Sequence, residues 1–321
     1  MIYDLAIVGQ GIAGLAIGFR IKGLNVVVIG KSDDTASRCA TGVTTHKGLK
    51  EIRGELFRLK TEGYERLPKW IFDIEQATHQ NIPIVFGIEE FFLNDEDGRG
   101  IQQRIYKDEP LAKFDVAKTK EGFFYPNDFV FDVEKLLLAL RIFARKNHTV
   151  IAEHVHNIHR KNTWYEVDTD SSRLRAKNIL LACGESSNFL LTLLRLPILN
   201  LSLLAGKTFF GDFTNLNNFK GYTHRGHNLV LSSSGYRLGS TSRNPENPDT
   251  LDFRLVSAHF KFELIEQQVW KGQRARFKDR LPQVLEIEKI SENQRVFFVG
   301  GFYKSGFQFA DLMAQKFLTL F

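Results

Sequence analysis

Two rhythms of hydrophobic and polar positions run along this chain. In the first, short unbroken apolar runs alternate with helical spacing. Ile2–Val8 reads as a strand buried on both faces, Leu15–Lys22 as the helix after it, and Asn25–Ile29 as a second strand. The same rhythm returns at Thr149–Val155 and at Asn178–Gly184, a strand ending in small residues. It returns again at Arg295–Phe307, where a strand enters a glycine turn and then a helix through Ala310 to Phe317. The second rhythm is alternation, at Ile84–Leu93, Asn228–Ser233 and Tyr236–Thr241, with a Ser-Gly turn joining the last two into a hairpin. The leucine-rich stretch Phe189–Leu204 is broken by Arg195, Pro197 and Asn200 and falls short of the roughly 20 apolar residues that cross a bilayer, so it is expected to be buried structure. Asn244–Asp249, with two prolines, reads as a surface loop.

Between the first strand and its helix stand Gly9-Gln10-Gly11-Ile12-Ala13-Gly14. A strand, a glycine loop of this spacing, a helix and a second strand form the context in which the pattern binds a dinucleotide. Gly9 permits the tight turn, Gly11 lets a pyrophosphate approach the backbone, Gly14 lets helix and strand pack closely, and the helix N-terminus offers free N–H donors. One element departs from the pattern. Where the second strand should end in an Asp or Glu for the adenosine ribose, this chain has Gly30 followed by Lys31. Asp33 or Asp34 could substitute from the loop, or Lys31 could favour a phosphate, as NADP would present.

Composition narrows the classes. The 321 residues, 43% hydrophobic and 25% charged, suit a globular protein with a sizeable core, and the 28 Phe suit a Phe-rich one. The net charge of +6 is spread along the whole chain, so no nucleic acid partner is expected. Cys39 and Cys183 are the only two cysteines and have no metal-ligand spacing. His154, His156 and His159 alternate on a strand with no carboxylate or cysteine joining them, and read as surface residues rather than as a metal site. Neither a targeting signal nor a membrane span is apparent, and the expected location is cytoplasmic.

Four further segments, in order along the chain, resemble the D-amino acid oxidase and glycine oxidase family. Ala36–Val43 looks like the small-residue loop that lies along the flavin in that family, with Cys39 either contacting the flavin or filling tight space. Thr149–Val155 and Asn178–Gly184 resemble the later cofactor-domain strands. Trp270–Pro282 resembles a W-x-G-x-R-P-x-x-x-D-x-x-P stretch, keeping Trp270, Gly272, Arg274, Asp279 and Pro282 in register and placing Ala275 where the family has proline. Arg295–Phe307 resembles the ending G-H-[FY]-R-N-G, with Lys304 in place of an arginine that binds the substrate carboxylate. In addition, Gly235–Thr241 looks like the family's G-x-x-x-G-[AS]-T hairpin.

The resemblance implies an α/β fold: an FAD-binding, Rossmann-like parallel-sheet domain (1–80, 128–194 and 270–321) interleaved with an antiparallel-sheet substrate domain (81–127 and 195–269). It implies that FAD is held by Gly9, Gly11, Ile12, Ala13, Gly14, Lys31, Ser32, Arg38, Thr41, Gly42, Val43, Val155, Ala182, Cys183, Gly184, Gly301, Ser305, Gly306 and Phe307. The substrate-binding candidates are Arg274, Tyr303, Lys304 and Tyr236. Lys304 is also the catalytic candidate, at the substrate carboxylate, near the flavin N5, or simply solvated. His224, Arg225, His227 and Arg237 also lie on the substrate lobe, where an exposed loop or hairpin position is the stronger reading. The reaction implied is oxidation of a C–N bond of a small amine or amino acid by hydride transfer to flavin N5, with dioxygen as acceptor. Three other readings stay open: a tRNA wobble-uridine side-chain amine oxidase, a non-catalytic flavin- or nucleotide-binding protein, and, from Lys31, an NADP-binding reductase.

Overall fold

The structure, a computed structural model, describes residues 1–33, 35–45, 54–92, 116–213, 219–224, 227–232, 235–241, 253–258, 260 and 262–321. Asp34, Leu93, Arg225, the Ser233 position of the hairpin turn and the Asn244–Asp249 loop lie outside the described residues.

The chain opens with β1 (Tyr3–Val8), α1 (Ile12–Arg20), β2 (Val26–Ile29), a 3-10 turn (Ala36–Cys39), β3 (Val43–Thr44) and α2 (Glu55–Thr78). It continues through β4 (Ile84–Phe91), β5 (Ala117–Lys118), β6 (Gly122–Phe131), α3 (Val133–Asn147), β7 (Thr149–Ile151), β8 (Val155–Arg160), β9 (Tyr165–Thr169) and β10 (Arg173–Leu181). Then come α4 (Ser187–Leu193), β11 (Ser202–Gly211), β12 (Lys220–His224), β13 (His227–Ser232), β14 (Gly235–Thr241) and α5 (Phe253–Ser257). The chain closes with β15 (Gln268–Arg276), β16 (Gln283–Ser291), β17 (Gln294–Gly300) and α6 (Gly306–Leu320).

Two sheets result. The first has eight strands and a parallel centre in the order β17-β10-β1-β2-β7, with β16 antiparallel at one edge and the β8–β9 hairpin joined through β10. The central strands β1, β2 and β17 and the second half of β10 are buried on both faces and mostly apolar because both faces of the sheet are covered. Leu5, Ile7, Val26, Val28, Leu180, Phe297 and Val299 meet α1, α2, α3 and α6 on one side. Ala6, Val8, Val27, Ile29, Ile179, Leu181, Val296 and Phe298 meet the β8–β9 hairpin and α4 on the other. Each of these side chains larger than alanine contributes roughly 1.5–3 kcal/mol on burial. A buried carboxylate, Asp311, ties α6 to α1 through Arg20 at 2.6 Å.

The second sheet has nine strands, in the order β15-β11-β14-β13-β12-β4-β6-β3, with β5 against β6. Its pairs are antiparallel apart from β12 with β4. The expected hairpin is present, as β13 pairs antiparallel with β14.

Sheet membership divides the chain differently from the expected boundaries. Strand β15, together with β3 and the end of β6, belongs to the second sheet although the surrounding segments belong to the first. Conversely, Leu196, Leu199 and Leu201 pack on the core of the first sheet, although they follow the expected switch point. The Phe189–Leu204 stretch is therefore only partly interior. Leu190 and Leu191 are buried, while Phe189 is 57% and Ile198 67% exposed, because a surface helix and its exit buries one face only. Thr149–Val155 is likewise two strands: β7 ends at Ile151 and β8 starts at Val155 as the chain leaves the parallel layer for the hairpin. Among the described residues no helix is long and apolar enough to cross a membrane.

Candidate active site

A cavity of about 990 Å³ lies where the C-terminal ends of the parallel strands meet the second sheet. That is at the top of the range of about 300–1,000 Å³ for small-molecule sites.

The first stretch of its wall is backbone. Gly9, Gly11, Ile12 and Ala13 line it at the start of α1, a helix with no side-chain cap and no acid in its first turn. Gly9 sits at φ +124°, and a Cβ there would fall 2.4 Å from Ala182 O. Gly14 is off the wall, and its role is packing: a Cβ would lie 2.1 Å from Gly9 O, so only glycine lets α1 start this close to the turn. Ile12 N already donates to Ser37 Oγ at 2.9 Å, which fixes the Ala36–Cys39 turn over the helix start. Thr41, Gly42, Val43, Val155, Ala182, Cys183 and Gly184 also line the cavity.

Lys31 lines it too, but its ammonium pairs with Asp170 at 3.5 Å, so the charge that suggested a phosphate ligand is already balanced. Two other expected cofactor contacts are not on the wall. Ser32 directs its hydroxyl to Asp33 and its carbonyl accepts from Arg141, and Arg38 lies over the Trp270 ring with its guanidinium 3.7 Å from the centroid. His154 and His156 are exposed, as expected, but they stand at the cavity rim, where His156 Nε2 meets Asp170 at 2.5 Å. Among the described residues no cluster that could hold a metal ion is present.

The far end is a second helix start. After β17, Gly301 and Tyr303 take left-handed conformations (φ +78° and +51°), and Tyr303 N donates to Ala275 O at 3.2 Å, pinning the turn to β15. Gly301, Tyr303, Lys304, Ser305, Gly306 and Phe307 all line the cavity, and the start of α6 again has no side-chain cap and no acid. Its N–H groups therefore present a positive end to the cavity.

The second sheet supplies side chains. Arg274 on β15 lines the cavity next to Cys39 and Tyr303. Its guanidinium lies against the β11 backbone, where a Cβ on Gly206 would fall 2.2 Å from Nη1. Burial pulls this guanidinium below its ordinary pKa, with Cys39 and Tyr303 opposing the fall. Lys304, the catalytic candidate from sequence, is exposed, its Nζ 5.5 Å from the centroid of the Tyr303 ring. Cys39 is buried, burial pushes its thiol up, and its Sγ packs where a Cβ on Gly272 would come within 3.0 Å, which fits the space-filling reading.

Tyr236, expected at the substrate, stands elsewhere. It is 3% exposed in the apolar core of the second sheet and donates its hydroxyl to Ile265 O at 2.8 Å, because its position on β14 points to the face away from the cavity. Arg237 is half-buried, donating to Arg38 O at 2.7 Å, and His224 is buried against Phe91 O. The sequence reading missed Lys60, on α2 near Lys304. Burial lowers its ammonium to about 8, Asp128 opposes the fall and Lys304 adds to it. The missed signal was a lysine at a core-facing helical spacing, one residue beyond the buried Leu59 and four before the buried Tyr64.

A glycine-cradled groove running from the parallel strand ends to a second helix start, roofed by an antiparallel sheet, defines a dinucleotide-dependent enzyme of two interleaved lobes. A family profile described as FAD dependent oxidoreductase (DAO) matches residues 4–318, and the chain belongs to this family. It is an FAD-dependent oxidoreductase. Solved structures share the fold. Glycine oxidase from Geobacillus kaustophilus is 20% identical with a TM-score of 0.76, over 98% of this chain and 92% of that one. Iminodiacetate oxidase from Chelativorans sp. BNC1 is 12% identical with a TM-score of 0.79, over 98% and 94%. L-proline dehydrogenase from P. horikoshii is 16% identical with a TM-score of 0.74, over 99% and 93%. A comparison with curated proteins by sequence finds no match.

The residues present fit FAD. Glycines bring the backbone to the wall at Gly9 and Gly11, and both helix starts line the cavity with no acid in their first turn, which suits the pyrophosphate and flavin of FAD.

Proposed function

We propose that this enzyme oxidises the C–N bond of a small amine that carries a carboxylate, an amino acid or a close analogue. The observation that carries this reading is Arg274, a guanidinium held on the cavity wall by β15 between Cys39 and Tyr303. A guanidinium offers a carboxylate two parallel N–H bonds, and each charge-assisted bond is worth about 1.5–3 kcal/mol. Glycine oxidase and iminodiacetate oxidase, two of the structural neighbours, are named for substrates of this kind.

FAD, when bound, supplies the hydride acceptor. The residues that would hold it are the Gly9–Ala13 loop and Thr41–Val43 along one side, Val155 and Ala182–Gly184 along the next, and Gly301 with Ser305–Phe307 at the far end. Arg274 fixes the carboxylate and with it the orientation of the α-carbon, a positioning task that governs rate when the reacting atoms must align. The start of α6 stabilises negative charge that develops at its end of the cavity. Lys304, exposed on the same wall, adds a point charge that favours an anionic substrate on entry. Phe131, Val299 and Phe302 line the cavity and keep its wall apolar, which strengthens these interactions.

The test is anaerobic mixing of the flavin-loaded protein with a panel of small amino acids, N-substituted glycines and matched amines lacking a carboxylate. Bleaching by carboxylate-bearing members supports the reading, and bleaching only by the uncharged amines overturns it. Dioxygen is the proposed acceptor. Hydrogen peroxide formed in step with imine hydrolysis products supports that, and turnover that needs an added dye overturns it.

A further inference from the structure

In this kind of nucleotide unit the second strand ordinarily ends in a carboxylate that takes the adenosine ribose hydroxyls. Here the structure closes that position to any side chain. Gly30 sits at φ +148°, and a Cβ would lie 3.2 Å from Gln10 N. The Gln10 amide fills the space instead, donating Nε2 to Gly30 O at 2.6 Å and to Ile151 O at 3.4 Å.

The neighbouring strand ends at the same level. β7 runs parallel to β2 with Ile29 opposite Ile151, and Gly30 N donates to Ile151 O at 3.0 Å. Just past the end of β7, Glu153 lines the cavity together with Gly30, Lys31, Asp33 and Val155.

Three described acids lie at this end, and they differ. Asp33 is on the wall, but its side chain is 79% exposed and directed to Arg38 at 3.4 Å. Asp170 is off the wall, and its carboxylate already takes Lys31, His156 Nε2 and His154 N. Glu153 is both on the wall and held. Its Oε2 accepts from Thr169 Oγ1 at 2.5 Å and from Ser171 N at 3.0 Å, and its Oε1 accepts from Ser171 Oγ at 2.5 Å. The Ser171 hydroxyl, then Thr169 and the Ser171 amide, hold this carboxyl below its usual range. Among the described residues Oε1 takes that one bond, and a carboxylate oxygen has room for two.

We infer that the adenosine ribose anchor has moved one strand along the sheet, from the end of β2 to Glu153 beyond β7, where Oε1 accepts a ribose hydroxyl of FAD. The carboxylate is fixed in place by the β9–β10 turn, so it is preorganised for the ribose, and it selects FAD over FMN. This inference rests on the cofactor and not on the substrate reading, so either can fail alone.

The test is titration of the full-length apoprotein with FAD, with FMN, and with an FAD analogue lacking both hydroxyls on its adenosine ribose, followed by flavin fluorescence. Glu153→Gln is expected to raise the Kd for FAD about tenfold and to leave that for FMN within about twofold, a loss typical of one hydrogen bond to a charged group. The wild-type chain is expected to bind the analogue about tenfold more weakly than FAD, and Glu153→Gln to bind the two alike. Wild-type protein that binds the analogue as tightly as FAD overturns the inference. So does a Glu153→Gln protein that loses FAD and FMN equally, which would make Glu153 only a fastener of the turn. The wild-type comparison decides the matter even where the variant fails to fold.

Discussion

Around the start of α1 and just past β10 the cavity wall includes Gly9, Gly11, Ala13, Ala182 and Gly184, residues with little or no side chain. At the second sheet it includes Arg274, Lys271, Gln273 and Asn228, residues with polar or charged side chains. The first region recognises by shape and dipole, the second by charge on particular side chains. A backbone-made site tolerates almost no added atom, whereas a side-chain-made site can be rebuilt by one substitution without harm to the fold. On the proposed reading the cofactor belongs to the first region and the substrate to the second.

That contrast can be broken by substitution. The largest effect is expected at Gly14→Ala, where the new Cβ would lie 2.1 Å from Gly9 O, so the helix start must shift. Overpacking of this kind costs about 1–3 kcal/mol or more, and the purified variant should carry almost no flavin absorbance at 450 nm, roughly the flavin maximum. Full occupancy with unchanged stability would mean that the loop does not hold the cofactor.

Next is Arg274→Met, expected to lower kcat/KM for a carboxylate-bearing amine by about 100- to 1,000-fold, the loss of two charge-assisted hydrogen bonds, with flavin content unchanged. Arg274→Lys should recover only part of it, since a point charge lacks the paired geometry. Equal activity in both variants and the parent would remove carboxylate recognition from this residue.

Lys60→Met is expected to stabilise the protein by on the order of 2 kcal/mol at pH 7, because the buried ammonium sits uphill of its hydrated form. The sign follows from the folded value of about 8 lying below the ordinary 10.5. The penalty is complete below about pH 8 and lifts as the pH rises toward 10.5, since the unfolded chain holds the proton longer. Melting curves at pH 7 and pH 10 should show the gain shrinking, and a gain independent of pH would point to packing alone.

The smallest effect is expected at Tyr236→Phe, which removes the hydroxyl bonded to Ile265 O. A loss of about 1 kcal/mol in stability, with KM unchanged, would agree with its place in the core. A changed KM would return Tyr236 to the substrate site.

The same division explains what the sequence disclosed. Gly9, Gly11 and Gly14 are legible because a positive φ at Gly9 and close packing at Gly11 and Gly14 favour glycine at fixed spacing, and the strands Tyr3–Val8, Val26–Ile29 and Gln294–Gly300 are legible because both faces are buried. Arg274 was legible through the spacing of its motif, although not its place beside Gly206, which depends on the pairing of β11 with β15. Tyr236 misled because a hairpin motif gives its alternation but not which face of the sheet looks at the cavity. Glu153 carried no local signal, and Lys60 carried only its helical spacing. The first needs the register of β2 against β7, and the second needs α2 laid beside the start of α6.

The central claim is that one cavity holds FAD along the parallel sheet and a carboxylate at Arg274 beside it. The most direct measurement is the visible spectrum of the oxidised flavin titrated with a small carboxylate that cannot be oxidised, such as acetate, in the wild-type protein and in Arg274→Met. Saturable perturbation of the flavin bands in the wild type, with affinity at least about tenfold weaker in the variant, is the predicted result. Perturbation of equal affinity in both proteins, or none in a flavin-loaded wild type, would contradict it.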